Sequence, residues 1–159
     1  MKDQFLAAYP AAGDDAAGEM SKSIGRDRTL ASMYLWAADR LKTTKHPIYG
    51  YLFTHVKPGP ESDLFGAFHA AELAYVFDNL DKAPNRPFAD KDREIAGKMA
   101  GYWTNFVKTG DPNGPGLAQW PVLDVSSKQL MELGGAFAPQ PVLEAEKLAL
   151  FEAVTARRQ

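Results

Sequence analysis

Three histidines, His46, His55 and His69, are the candidates for acid–base chemistry near neutral pH. Imidazole titrates in that range, so it can take up a proton and give it back within one reaction. His46 precedes Pro47 at the start of an apolar run and is expected to be solvated. His55 lies inside that run and is expected to pack or to hydrogen-bond. His69 is set differently, flanked by Gly66, Ala67, Ala70 and Ala71. Small neighbours let the backbone bend and a reacting group come close. Spacing alone leaves two readings of His69 open, a catalytic base and a hydrogen-bonded core histidine. Glu72 follows three residues later. It fits either a side chain that caps or orients the histidine loop, or a first-turn acid favoured by the helix dipole.

Other chemistries find little support. None of Ser21, Ser23, Ser32, Ser62, Ser126 or Ser127 sits in a GxSxG elbow, the strained turn that presents a nucleophilic serine. The absence of cysteine excludes disulfides, thiolate metal sites and a cysteine nucleophile. The histidines have neither HExxH nor i, i+4 spacing, so no metal is expected. GPGLAQ from Gly114 lacks the lysine of a phosphate loop and reads as a turn; no cofactor is expected. Asp90, Asp92 and Glu94 are expected to form a solvated start to a helix. A net charge of −2 with scattered basic residues gives no reason to expect nucleic acid or an anionic membrane as partner. No apolar run approaches the ~20 residues of a membrane span. The opening MKDQFLAAYP lacks the sustained apolar stretch of a signal peptide.

The elements that must position these residues follow from periodicity. The 159 residues, 45% hydrophobic and 24% charged, suffice for one globular domain with a core. AAGDDAAGEMSKSIG reads as a loop or weak helix. Asp27 is then a candidate N-cap for a helix to about Lys42, with Leu30, Tyr34, Ala37 and Leu41 on one face. Residues 48–56, IYGYLFTHV, form the strongest strand, closed by Lys57-Pro58-Gly59-Pro60. It is apolar on both faces, the pattern of a strand covered by two layers in a largely parallel sheet. A short helix is expected from about Ala70. A long one is expected from Asp90, with Ile95, Met99, Trp103 and Phe106 inward and Gly110 as its C-terminal cap. The turn Asp111-Pro112-Asn113-Gly114 follows. Residues 121–133 suggest a small hairpin turning at Ser126, Ser127 and Lys128. Pro141 suits the first turn of a last helix, in which Leu143, Leu150, Phe151 and Val154 are apolar. The fold class is therefore α/β, mostly helical, with one core strand and a small terminal hairpin. Such a strand needs more neighbours than the chain supplies. The imbalance points to an incomplete larger fold, one that self-associates or needs a missing part.

Several segments resemble type-B carboxylesterases. Gly66-Ala67-Phe68-His69-Ala70-Ala71-Glu72-Leu73-Ala74-Tyr75-Val76-Phe77 is similar to that family's catalytic-histidine segment, in which glycine often follows the histidine where this chain has Ala70. Tyr102-Trp103-Thr104-Asn105-Phe106-Val107-Lys108-Thr109-Gly110-Asp111-Pro112-Asn113 resembles a second family segment. Trp120-Pro121 followed by Leu130-Met131-Glu132-Leu133 resembles the terminal hairpin. The order and spacing agree across nearly the whole chain. The resemblance implies that residues 1–159 are the C-terminal portion of an α/β-hydrolase that cleaves carboxylic esters with a serine, acid and histidine triad. It implies that His69 is the base and that Glu72 is a neighbouring carboxylate rather than the triad acid. Nucleophile, acid and oxyanion donors would belong to a missing N-terminal part, so the chain alone is expected to be inactive. The alternative is a non-catalytic, esterase-like interaction module.

Overall fold

A computed structural model describes residues 2–60, 62–83 and 85–157. In chain order the elements are α1 (Lys2–Ala8), α2 (Asp14–Leu41), β1 (Tyr51–Phe53), α3 (Ser62–Phe65), α4 (Leu73–Val76), α5 (Asp90–Thr109), β2 (Gln129–Leu133), β3 (Ala138–Pro141) and α6 (Ala145–Ala156). A 3-10 turn, Leu80–Lys82, lies between α4 and α5. They form two compact units: Met1–Gly50 with Val122–Gln129 and Pro141–Gln159, and Tyr51–Pro121 with Leu130–Gln140.

The first unit is helical, with α6 packed on α1 and α2. The weak-helix stretch joins the predicted helix in a single α2 of 28 residues. Asp27 is therefore not an N-cap. It is buried in mid-helix, accepting hydrogen bonds from the Tyr9 hydroxyl at 3.1 Å and Arg26 Nε at 3.0 Å, with Lys147 Nζ 4.0 Å away. A buried carboxylate is tolerated only with such compensation. Burial, and then the Asp27 charge, push the Tyr9 phenol far above its ordinary range, so it stays a donor. Ala31, Tyr34 and Ala37 continue the buried face of α2. Pro141 ends β3 instead of opening the last helix, which begins at Ala145 and buries Leu148 and Leu150.

The second unit holds the sheet, in the order β1-β2-β3. β1 and β2 are parallel, with Tyr51 opposite Met131, Leu52 opposite Glu132 and Phe53 opposite Leu133. The Thr54 amide extends the ladder to the Leu133 carbonyl at 2.9 Å. β1 is thus shorter than predicted and lies at the sheet's edge. Its predicted two-sided burial is not met among the described residues: Tyr51 is exposed, while Leu52 and Phe53 are half-buried. The predicted hairpin is displaced as well. The turn at Ser126–Lys128 leads into β2, and β2 connects to β3 through residues 134–137.

α5 begins at Asp90 and ends at Gly110 as predicted. Gly110 takes the left-handed φ of +80° and donates to the Phe106 carbonyl at 2.7 Å. Its buried stripe is Ile95, Ala96, Met99 and Tyr102. The predicted inward residues Trp103 and Phe106 are half-buried and exposed. Tyr102 replaces them because its ring stacks on Phe137 and its hydroxyl donates to the Ala118 carbonyl at 2.7 Å.

Candidate active site

The loop carrying His69 leaves the carboxyl end of β1, the end of a parallel strand at which α/β proteins bind ligands. Two buried carboxylates anchor that end. Glu132, directly across from Leu52 in β2, accepts the Thr54 hydroxyl. It also accepts the amides of Gly135 at 2.7 Å, Ala136 at 2.6 Å and Phe137 at 3.0 Å. Burial alone would push Glu132 up, but these donors outweigh it and hold the carboxyl below the usual glutamate range. Gly134 opens the same turn at φ +112°. A Cβ there would lie 2.6 Å from His55 Cβ and 2.9 Å from the His55 backbone nitrogen. Glycine is what lets the turn lie against β1.

Asp92 is the second anchor. Its Oδ1 receives His55 Nε2 at 2.8 Å and the Tyr75 hydroxyl at 2.7 Å. Its Oδ2 accepts the Ala89 amide at 2.8 Å, half of a capping box on α5. The prediction of a solvated helix start is therefore wrong for Asp92, which is buried. Burial opposes its charge, yet the bonds from His55, Tyr75 and Ala89 keep it below the usual aspartate range. An ionised carboxylate only accepts, so His55 carries its proton on Nε2. Burial, and then the bond to Asp92, push the Tyr75 phenol far up. His55 bonds as the sequence led one to expect.

From His55 the chain runs through Pro58, whose carbonyl accepts Arg86 Nη1 at 2.9 Å, into α3 and a series of tight turns. Gly66 adopts φ +56° and Ala70 φ +66°. The Phe68 amide bonds the Gly66 carbonyl at 3.1 Å, and the Ala71 amide bonds the Phe68 carbonyl at 3.0 Å. His69 sits on this turn and is exposed, whereas Ala71 and Tyr75 beside it are buried. It is not a core histidine. Glu72 occupies the N-cap position of α4 but makes no side-chain capping bond. It is half-buried, and its charge adds to burial in raising the Tyr51 phenol. Its capping option is thus not realised.

The turn at Ala70 is left-handed, a conformation that glycine adopts without strain. Left-handed φ costs an L-residue roughly 1–2 kcal/mol, partly offset by the extra chain entropy glycine loses on folding. Ala70→Gly should therefore raise stability by about 0.5–1 kcal/mol, read as a higher urea midpoint at unchanged slope.

The sequence reading missed Asp92, Tyr75 and Glu132 as parts of this region. Ala89 and Asp92 lack the Ser/Thr and Glu/Gln of a capping box, so no local signal marked any of the three. Among the described residues no group of three or more His, Cys, Asp or Glu could hold a metal ion. No helix among them is long and apolar enough to cross a membrane.

A parallel strand pair in a chain otherwise built of helices, with the His69 turn following β1 in sequence, is of the α/β class. Residues 2–150 match the carboxylesterase family, and the chain belongs to it. Among similar proteins, carboxylesterase 4A of Bos taurus is 30% identical over 138 residues, which are 81% of this chain and 23% of the relative. Phenmedipham hydrolase of Pseudarthrobacter oxydans is 28% identical over 140 residues, 83% of this chain and 28% of the relative. Bile salt-activated lipase of Homo sapiens is 38% identical over 78 residues, 48% of this chain and 10% of the relative. The chain thus spans less than a third of the length of each of these relatives.

Proposed function

We propose that this chain is the C-terminal, histidine-bearing portion of a serine esterase for carboxylic esters, and that His69 is its general base. The observation that carries this reading is the placement of an exposed imidazole on a turn leaving the carboxyl end of a parallel strand, in a chain of the carboxylesterase family. In the reaction the neutral imidazole takes the proton of a serine hydroxyl as it attacks the ester carbonyl. It then returns that proton to the departing alcohol. Glu72 is a neighbouring carboxylate that biases the charge of the histidine turn, not the triad acid. Serine, acid and oxyanion donors come from the remainder of the domain, so the chain alone is inactive. Leu64, Phe65 and Phe77 are exposed close to His69 in sequence, and this apolar surface supports a fold that continues beyond these residues.

The test is hydrolysis of a short-chain nitrophenyl ester. The isolated chain should give no rate above buffer, and activity should appear when it is joined to a preceding segment bearing a GxSxG serine. Turnover by the chain alone that disappears in His69→Ala would overturn the assignment of roles.

A further inference from the structure

The two ends of the segment that bears His69 are tied to one atom. His55 lies just beyond β1 and Tyr75 lies in α4, and both donate to Asp92 Oδ1, at 2.8 and 2.7 Å. The two rings meet edge-on at 5.4 Å between centroids. Phe53 packs on Tyr75 at 5.4 Å and Phe88 at 6.2 Å, so the junction is walled by aromatic rings. Asp92 is itself fixed, in the first turn of α5, by the Ala89 amide on its other oxygen. The described residues between these two feet, with α3 and the exposed His69 among them, form a segment whose ends both stand on one buried carboxylate.

We propose that Asp92 is a positioning residue for His69: it clamps both feet of the histidine loop and so sets where the imidazole is held. Between the feet the described loop rests on turn-sized bonds and the Arg86 contact to Pro58. Leu64, Phe65, Phe68 and His69 are exposed while Ala71 is buried, so the packing of the described segment lies near its second foot. Closing a flexible loop costs entropy at its ends, and the site that removes this freedom acts on everything between them. The inference rests on the reading of His69 as the working group, but it concerns the geometry of this chain and is tested without catalysis.

The experiment uses Asp92→Asn and the milder Tyr75→Phe, which loses one hydroxyl and keeps the ring. Side-chain NMR of the chain follows the imidazole signals of His69, with those of the solvent-exposed His46 as internal control. Amide hydrogen exchange is read in parallel. Both variants should shift the His69 signals and leave those of His46 in place. Amides from 66 to 77 should exchange about tenfold faster in Asp92→Asn, with the core of α5 at Ile95 and Met99 less affected. Unchanged His69 signals in a folded variant would overturn the clamp. So would exchange that accelerates equally across the whole chain, the mark of a general loss of stability. Should Asp92→Asn fail to fold, Tyr75→Phe gives the same decision. Because no readout is turnover, failure of the clamp and failure of the esterase reading are separate results.

Discussion

In the esterase proposed above, formed by this chain together with a serine-bearing segment, His69→Ala should lower kcat for a nitrophenyl ester by about 10⁴-fold or more, with KM little changed. The base does its work only as the serine proton leaves, so its loss raises the barrier without weakening ground-state binding. A drop of this size amounts to about 5 kcal/mol of barrier. The same substitution should leave stability within about 0.5 kcal/mol of the parent, because His69 is exposed and its turn is held by backbone bonds from Phe68 and Ala71. That separation of rate from stability makes the result interpretable. Rate and urea midpoint are measured on the same preparations. A variant that keeps its activity to within tenfold at an unchanged midpoint would remove His69 from the mechanism.

The residues around the site were legible to different degrees, for physical reasons. The α/β character could be read from one segment, because Ile48 to Val56 is rich in branched and aromatic side chains, though its two-sided pattern overstated both the length and the burial of β1. The start and end of α5 were legible because their signals are local: Asp90 is an acid in the first turn, and Gly110 takes the left-handed cap that follows the last turn. The inward stripe of α5 was not, since Tyr102 wins its place by contacts with Ala118 and Phe137, which are remote in sequence. Asp27 and Asp92 misled for a shared reason. An aspartate near a helix start ordinarily caps it or faces water. Here each is buried by a tyrosine, Tyr9 in one case and Tyr75 in the other, whose hydroxyl arrives from another element. The hairpin was misplaced because Ser126–Lys128 has strong turn chemistry. The turn that joins β2 to β3 is instead organised by a side chain, Glu132, that precedes it. His69 stood out among its small neighbours, but they left two readings open and only the family resemblance favoured the base; its exposure on a turn that is left-handed at Ala70 is not something alanine advertises.

Glu132→Gln should cost about 2–4 kcal/mol of stability at neutral pH. The glutamate collects four donors, and three of them are amides of the turn between β2 and β3. An amide side chain presents a donor where the carboxylate presented an acceptor, so at least one of those N–H groups is left facing another N–H. The turn has little reserve, because Phe137 is held at φ +52°, a conformation that a bulky residue adopts only when its surroundings insist. Those surroundings are the Glu132 bond to its amide, the stack on Tyr102 and Lys98 Nζ 5.1 Å from its ring centroid. Without the first, the Gly134 approach to His55 loosens too. Glu132 also fixes the direction of the pH dependence. Its folded pKa is depressed, as is that of Asp92, so each contributes stability that is present above the ordinary carboxylate range of about 4. That contribution is lost as pH falls through the folded value. The parent chain should therefore lose urea stability on acidification below about pH 4. Glu132→Gln, already deprived of one such group, should begin lower and fall less steeply. Parallel curves for parent and variant across that range would mean that the Glu132 charge is not what the turn is built around.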